Sequence, residues 1–320
     1  MVSFRRFFGL VIPSSILNLV VLCLFLQTGL FGIQGMSSYP YLSGYTWAFF
    51  CDWRLLGEDY GSRPETFDPR AVKLGDTVFV DPSCLSKFAQ EYLPYIEDKI
   101  ILVTSNYGFA ADDSFPGLHA GLLDHPNIAR WFIQNLDRPA SEKLIPIPIG
   151  LASPHWGHGN ISAFTDWIQT AQEARHRPIF VYLNFSLGTF PSARTECLRH
   201  FEKLSGYYQP MKSFDEYLSD LSKSVFVASP RGHGLDCHRT WEALLLGCYP
   251  IVITSPLDPL FENLPVVIVK QWSDATQTLL FQKQREFDQR TDWEYEKLYA
   301  PYWFDKVRAL QNQLRTGNLR

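Results

Sequence analysis

The sequence predicts an α/β fold made of two Rossmann-like halves facing a cleft, preceded by one N-terminal transmembrane helix. Two observations predict the body. Short apolar runs alternate with longer amphipathic ones, as in successive βαβ units. A loose Gly- and His-containing stretch near the middle, Ser153 to Asn160 with the polar helix Thr165 to Arg175, then separates two halves of similar size. The third observation is the almost uninterrupted apolar run Phe7 to Ile33, uncharged and long enough to cross a bilayer core.

Arg5 and Arg6 precede that run, so the positive-inside bias leaves Met1 to Arg6 in the cytoplasm and the body beyond Gln34 on the far side. The competing reading is a cleaved signal peptide cut near Gly32 to Gly35. The expected divisions are 1–36 as stub and anchor, 37–175 as the first half and 176–320 as the second. The expected localisation is a single-pass membrane protein. Its body then faces a Golgi-type lumen in a eukaryote; in a bacterium it belongs to the cell membrane.

Within the body, Thr77–Val80, Lys99–Thr104 and Leu144–Ile149 read as strands of the first half, with a helix over His125–Leu136 from the spacing of Ile128, Trp131, Phe132 and Leu136. The second half opens with the strand Ile179–Leu183 and helices over Arg194–Leu204 and Phe214–Leu221. Strands Val225–Ala228, Pro250–Ile253 and Val266–Val269 follow, with a helix from about His238 to Leu246. Asp292–Leu314 reads as a terminal, aromatic-rich helix.

The chain of 320 residues, 46% hydrophobic and 19% charged, is long enough to bury a full core. Its 29 basic and 33 acidic residues give a formal charge of -4, which offers no bulk attraction to nucleic acid. Any phosphate it binds must therefore be held locally. Six cysteines form no CxxC pair and no metal spacing; in an oxidising lumen Cys51 and Cys84 could bridge, but connectivity is not legible. No GxGxxG follows an early strand, which sets aside a dinucleotide-dependent enzyme.

The stretch Ser229 to Val252 carries the chemistry. It runs from one strand through a loop into a crossover helix and on to the next strand. Gly232 and Gly234 allow close backbone approach, and Asp236 is the expected N-cap. His238, Arg239 and Glu242 share the first turns of the helix. A helix start offers unpaired N–H groups and a positive dipole end; with Arg231, Arg239 and a protonated His238 it becomes a seat for a diphosphate. Glu242 suits a pair of sugar hydroxyls. A metal site from His233, Asp236 and His238 lacks a second ligand cluster, so none is expected. A Cys237/His238 nucleophile pair fails because adjacent helical residues diverge.

This stretch, the later LFENLPVVIV with Trp272 and the strand motif VYLNFSLGT resemble exostosin-like glycosyltransferases, as do RWFIQN and KLIPIPIG upstream. The resemblance covers most of residues 95 to 275. It implies a GT-B fold, with residues 37–175 on the acceptor side and 176–320 on the donor side. It also implies transfer of a sugar from a nucleotide-sugar donor to a glycan or glycoconjugate acceptor; no cofactor is expected. A Thr-His-Asn-Ser-Asp-like element expected after the strand ending at Val103 is replaced here by Thr104, Ser105, Asn106, Tyr107 and Gly108. The base that deprotonates the acceptor is then sought among Asp112, Asp113 and His119. Asn106 and Asn184, at or beyond strand ends, join the donor contacts. No D-x-D motif is present, so inverting transfer without an obligatory metal is expected. The alternative is a non-catalytic protein that keeps the fold and binds carbohydrate or nucleotide sugar.

Overall fold

The computed structural model describes residues 38–57, 60, 67–105, 116–173 and 176–318. The expected anchor, residues 7–33, lies outside them. Among the described residues no helix is long and apolar enough to cross a membrane.

The body is mixed α/β, with two five-stranded parallel sheets in a Rossmann-like arrangement. The first sheet holds β1 (Trp53–Leu55), β2 (Thr77–Val80), β3 (Ile100–Thr104), β4 (Ile128–Gln134) and β5 (Leu144–Ile147), side by side in chain order. β6 (Ile179–Leu183), β7 (Tyr207–Tyr208), β8 (Ser224–Ala228), β9 (Tyr249–Ile253) and β10 (Val267–Val269) form the second, in the order β10-β9-β8-β6-β7. Every pairing between neighbours is parallel. Parallel strands need crossovers that cover both faces of the sheet, which is why β2, β3 and β8 are buried at every position.

The helices of about two turns or more among the described residues are α1 (Gly44–Phe50), α2 (Pro116–Asp124), α3 (Ile161–Glu173), α4 (Pro191–Glu202), α5 (Phe214–Ser222), α6 (His238–Leu245), α7 (Gln277–Gln289) and α8 (Ala300–Arg315). Ser43 caps α1 by accepting the Thr46 N–H at 3.1 Å, and Ser213 with Glu216 forms a capping box on α5.

The expected helix over His125–Leu136 is instead strand β4, between β3 and β5. Its apolar spacing fits a helix, but a strand covered on both faces needs no alternation. Trp131, Phe132, Ile133 and Gln134 are all buried. Pro146 is tolerated in β5 because β5 is an edge strand. The terminal segment begins as a 3₁₀ turn, Tyr295–Leu298, before α8.

α8 returns to the first sheet. Phe304 stacks on Phe50 with centroids 3.8 Å apart, and Gln311 Nε2 donates to Asp52 Oδ2 at 3.1 Å and to the Gly75 carbonyl at 3.0 Å. The core around the first sheet therefore includes Trp303, Phe304 and Val307, together with Trp241 and Leu244 of α6. Two further clusters cover the faces of the second sheet.

Candidate functional site

A cleft of about 870 Å³ opens where residues beyond the C-terminal ends of the strands converge. Gln134 reaches it from the end of β4, Ile149 from beyond β5, Asn184 to Ser186 from beyond β6, Gly232, Asp236 and Cys237 from the loop between β8 and α6, and His238, Arg239 and Glu242 from α6 itself. Trp156, Gly157 and His158 form part of its wall.

The loop between β8 and α6 is braced by the first half of the chain. Asp236 is buried with no cation at ion-pair distance among the described residues, and its carboxylate accepts four hydrogen bonds. The donors are the Ile149 N–H at 2.8 Å, the Cys237 N–H at 2.9 Å, and the Trp241 indole N–H shared between the two oxygens at 2.8 and 2.9 Å. Burial raises its pKa to about 6 against these donors. The Asp236 N–H in turn donates to Asn135 Oδ1 at 2.7 Å. Asp236 thus ties the loop to the strand ends, and the helix cap falls to Cys237, whose side chain makes no cap hydrogen bond. Gly234 is required by Asn135: a Cβ there would lie 2.4 Å from Asn135 Nδ2, so the close approach is to the protein itself.

His238 is neutral. Its Nδ1 lies 2.8 Å from the Gly150 carbonyl, which can only accept, so Nδ1 carries the proton and Nε2 keeps a lone pair. Burial lowers its pKa to about 4, which corrects the expectation of a protonated imidazole. Glu242 accepts the Tyr217 hydroxyl at 2.6 Å, and burial raises its pKa to about 6.

The arginines divide differently from expectation. Arg231 does not line the cleft: its guanidinium stacks 4.5 Å from the Phe190 ring centre and donates to the carbonyls of Gly232 and His233. Arg239 does line it, donating Nε–H to the Asn184 carbonyl at 2.7 Å, with its guanidinium 5.5 Å from the Phe185 ring centre. Its Nη1 is buried without a hydrogen-bond partner among the described residues. Beside it stands Arg194 of α4, 6% exposed and 5.9 Å from the same ring. Arg194 donates to the carbonyls of Arg231 at 3.0 Å and Ser186 at 2.6 Å. Its pKa is pulled down by burial and then by the neighbouring Arg239. Among the described residues no carboxylate lies within ion-pair distance of either guanidinium.

Arg194 was not anticipated. Its signal was an arginine heading the apolar stripe Cys197, Leu198 and Phe201 on α4, a place where burial without a partner is costly. Lys212 and Tyr217 also line the cleft, Lys212 in an ion pair with Asp220. Asn184 sits just past β6 as expected, its amide donating to the Gln209 carbonyl at 2.5 Å and the Tyr182 hydroxyl at 3.1 Å. Asn106, Asp112 and Asp113 lie outside the described residues, and of His119 only its place on α2 is described. Among the described residues no three His, Cys, Asp or Glu side chains converge as metal ligands. Cys51 and Cys84 are not bridged to each other.

A row of rings leads outward from α6 along one wall. His238 is 6.2 Å from His158, His158 is 6.1 Å from Trp156, Trp156 is 5.1 Å from His155, and His155 is 5.7 Å from Tyr45, all between centroids. Trp156 is 52% exposed.

No known protein-family profile matches the chain. The chain is similar to a probable glucuronosyltransferase of Oryza sativa subsp. japonica, 28% identical over 114 residues. The match covers 32% of this chain and 26% of that protein, so the chain spans about a quarter of its length.

Proposed function

We propose that this chain is a glycosyltransferase of GT-B type that holds the diphosphate of a nucleotide-sugar donor between Arg194 and Arg239. One observation carries the reading. Two neighbouring guanidiniums stand in an 870 Å³ cleft with no carboxylate within ion-pair distance among the described residues, and one Nη of Arg239 is buried without a partner. Burying unneutralised charge costs several kcal/mol on the order of the penalty for an unpaired ion, so the arrangement makes sense with an anion as the missing partner. The planar forks suit phosphate oxygens, and the uncapped start of α6 adds dipole and N–H groups. The similarity to a probable glucuronosyltransferase supports a sugar-transfer reading in general terms.

In this reading the leaving diphosphate gains negative charge as its bond to the anomeric carbon breaks, and Arg194, Arg239 and the α6 start stabilise it. That assigns to guanidiniums the role a metal ion plays elsewhere. His238 Nε2 and the Glu242 carboxylate, held by Gly150 and Tyr217, accept hydrogen bonds from sugar hydroxyls. The acceptor's hydroxyl proton passes to a base from the segment after β3, with Asp112, Asp113 and His119 as candidates. This gives inversion by a single displacement. Anchoring of the catalytic body to a bilayer through residues 7–33 belongs to the same proposal.

The test is a thermal-shift screen of the protein against UDP, GDP, CMP and their sugars, followed by measurement of nucleoside diphosphate released. Stabilisation together with release supports an enzyme. Stabilisation without release with any acceptor favours the non-catalytic binding protein, and no stabilisation by any nucleotide overturns the reading.

A further inference from the structure

Beyond the donor seat, the wall of rings asks for an explanation. Trp156 is 52% exposed at the cleft, although a large apolar side chain left in water is normally folded away. The turn that carries it is built for that posture. The Ser153 carbonyl accepts the Trp156 N–H at 3.0 Å, and the Trp156 carbonyl accepts the Gly159 N–H at 2.8 Å. Gly159 packs so closely on this turn that a Cβ would lie 2.1 Å from the Ser153 carbonyl oxygen. The indole is therefore presented by a closed turn, and His155 and His158 flank it with centroids 5.1 and 6.1 Å away. The ring of His158 lies nearly parallel to it, at 27°.

The row gives this position a direction. It starts at His238, which lines the same cleft as Arg239, and steps outward through His158 to Trp156. A ligand whose charged end sits at Arg239 thus has its uncharged end beside the imidazoles, and whatever it meets next lies against the indole. His158 is held neutral, its pKa lowered by burial and by His155. Among the described residues this row of rings holds no carboxylate, ammonium or guanidinium, which suits a neutral, hydroxyl-rich ring with one flat C–H face. An anion is not what it fits.

We propose that Trp156 is the stacking platform for a pyranose ring of the saccharide acceptor, with the imidazoles of His155 and His158 hydrogen-bonding its hydroxyls. This rests on the glycosyltransferase reading only for the word acceptor; saccharide binding at Trp156 stands apart from it.

Two measurements on the full chain separate the two ideas. The first titrates intrinsic tryptophan fluorescence with cellotetraose, xylotetraose and β-1,4-galactotetraose, for the native protein, Trp156→Ala and Trp156→Phe. The second measures thermal stabilisation by UDP and GDP on the same three proteins. A saturable fluorescence change with at least one saccharide is expected for the native protein. Its dissociation constant, read by calorimetry, should rise about tenfold or more in Trp156→Ala and recover largely in Trp156→Phe, since an aromatic face contributes on the order of one factor of ten. Nucleotide stabilisation should be the same in all three. If Trp156→Ala binds the saccharide as well as the native protein does, or none of the three saccharides binds, the platform is overturned while the donor reading stands. If saccharide binding depends on Trp156 but no nucleotide binds, the platform stands and the donor reading falls.

Discussion

Replacing Arg239 by alanine separates a ligand seat from a structural cation, because the two assignments predict stability changes of very different size for the unliganded protein. A structural arginine would leave a buried partner exposed and lower stability by several kcal/mol, on the order of 3. Arg239 has no such partner within ion-pair distance among the described residues; removing it gives up one hydrogen bond, Nε–H to the Asn184 carbonyl at 2.7 Å, and contact with the Phe185 ring. Those losses amount to about 1–2 kcal/mol. They are offset by relief of repulsion with Arg194 and by removal of the unpartnered Nη1. Arg239→Ala should therefore melt within about 3 °C of the native protein. Nucleotide binding should fall steeply. A two-pronged charge-assisted contact to a diphosphate is worth about 3 kcal/mol, roughly a 150-fold weaker dissociation constant. The assay is differential scanning fluorimetry with and without saturating UDP or GDP, where native protein at 100 times the dissociation constant gains about 2.7 kcal/mol. Arg231→Ala is the matched control, since Arg231 is turned onto Phe190 and should leave the nucleotide shift intact. Unfolding of Arg239→Ala, or an undiminished nucleotide shift, would refute the reasoning.

Three other perturbations test the frame around the seat. Asp236→Ala removes the acceptor for the Ile149 and Cys237 N–H groups and for the Trp241 indole, and should lower stability by roughly 3–5 kcal/mol in urea denaturation. Gly234→Ala forces a Cβ to within 2.4 Å of an Asn135 already fixed by Asp236 and should cost about 2 kcal/mol or more, whereas Gly157→Ala, with nothing within 4 Å, should be neutral on the same melt. Glu242 is raised to about 6, so the folded state binds its proton more tightly than the unfolded state does, and the carboxyl costs stability as pH rises from about 4.5 through 6. Melting temperatures of Glu242→Gln should match the native protein below that window and exceed it above, by the equivalent of about 2 kcal/mol.

Most of the strand framework was legible because buried parallel strands leave a local trace. Thr77–Val80 and Ile179–Leu183 stand where the apolar runs put them, and Asn184 falls one residue beyond its strand. β4 was read as a helix for a physical reason. With Trp131 to Gln134 all buried, the pattern loses the two-residue alternation that betrays a strand, and the flanking polar residues happen to fall at helical spacing. β1 and β7, of three and two residues, are too short to leave any periodicity.

The site was legible only to the extent that its chemistry is local. Gly232 through Glu242 could be placed together from the loop-to-helix pattern, but the part each side chain plays depends on residues far away in sequence. Asn135 and Ile149 convert Asp236 into a brace, Gly150 fixes the tautomer of His238, and Phe190 draws Arg231 off the cleft. Arg194 was missed because in one dimension an arginine near a helix start is ordinary surface. What marks it is a conflict between levels: it heads the stripe that buries Cys197 and Phe201, so the fold takes a guanidinium inside and meets it with carbonyl oxygens, the Cys237 thiol and the Phe185 ring but, among the described residues, with no carboxylate at ion-pair distance. A structure selected for stability alone would neutralise that charge or exclude it. Arg194 and Arg239 stand side by side with no carboxylate at ion-pair distance among the described residues, and in the proposed reading the compensating charge is an anionic ligand whose shape matches two planar forks beside a helix start.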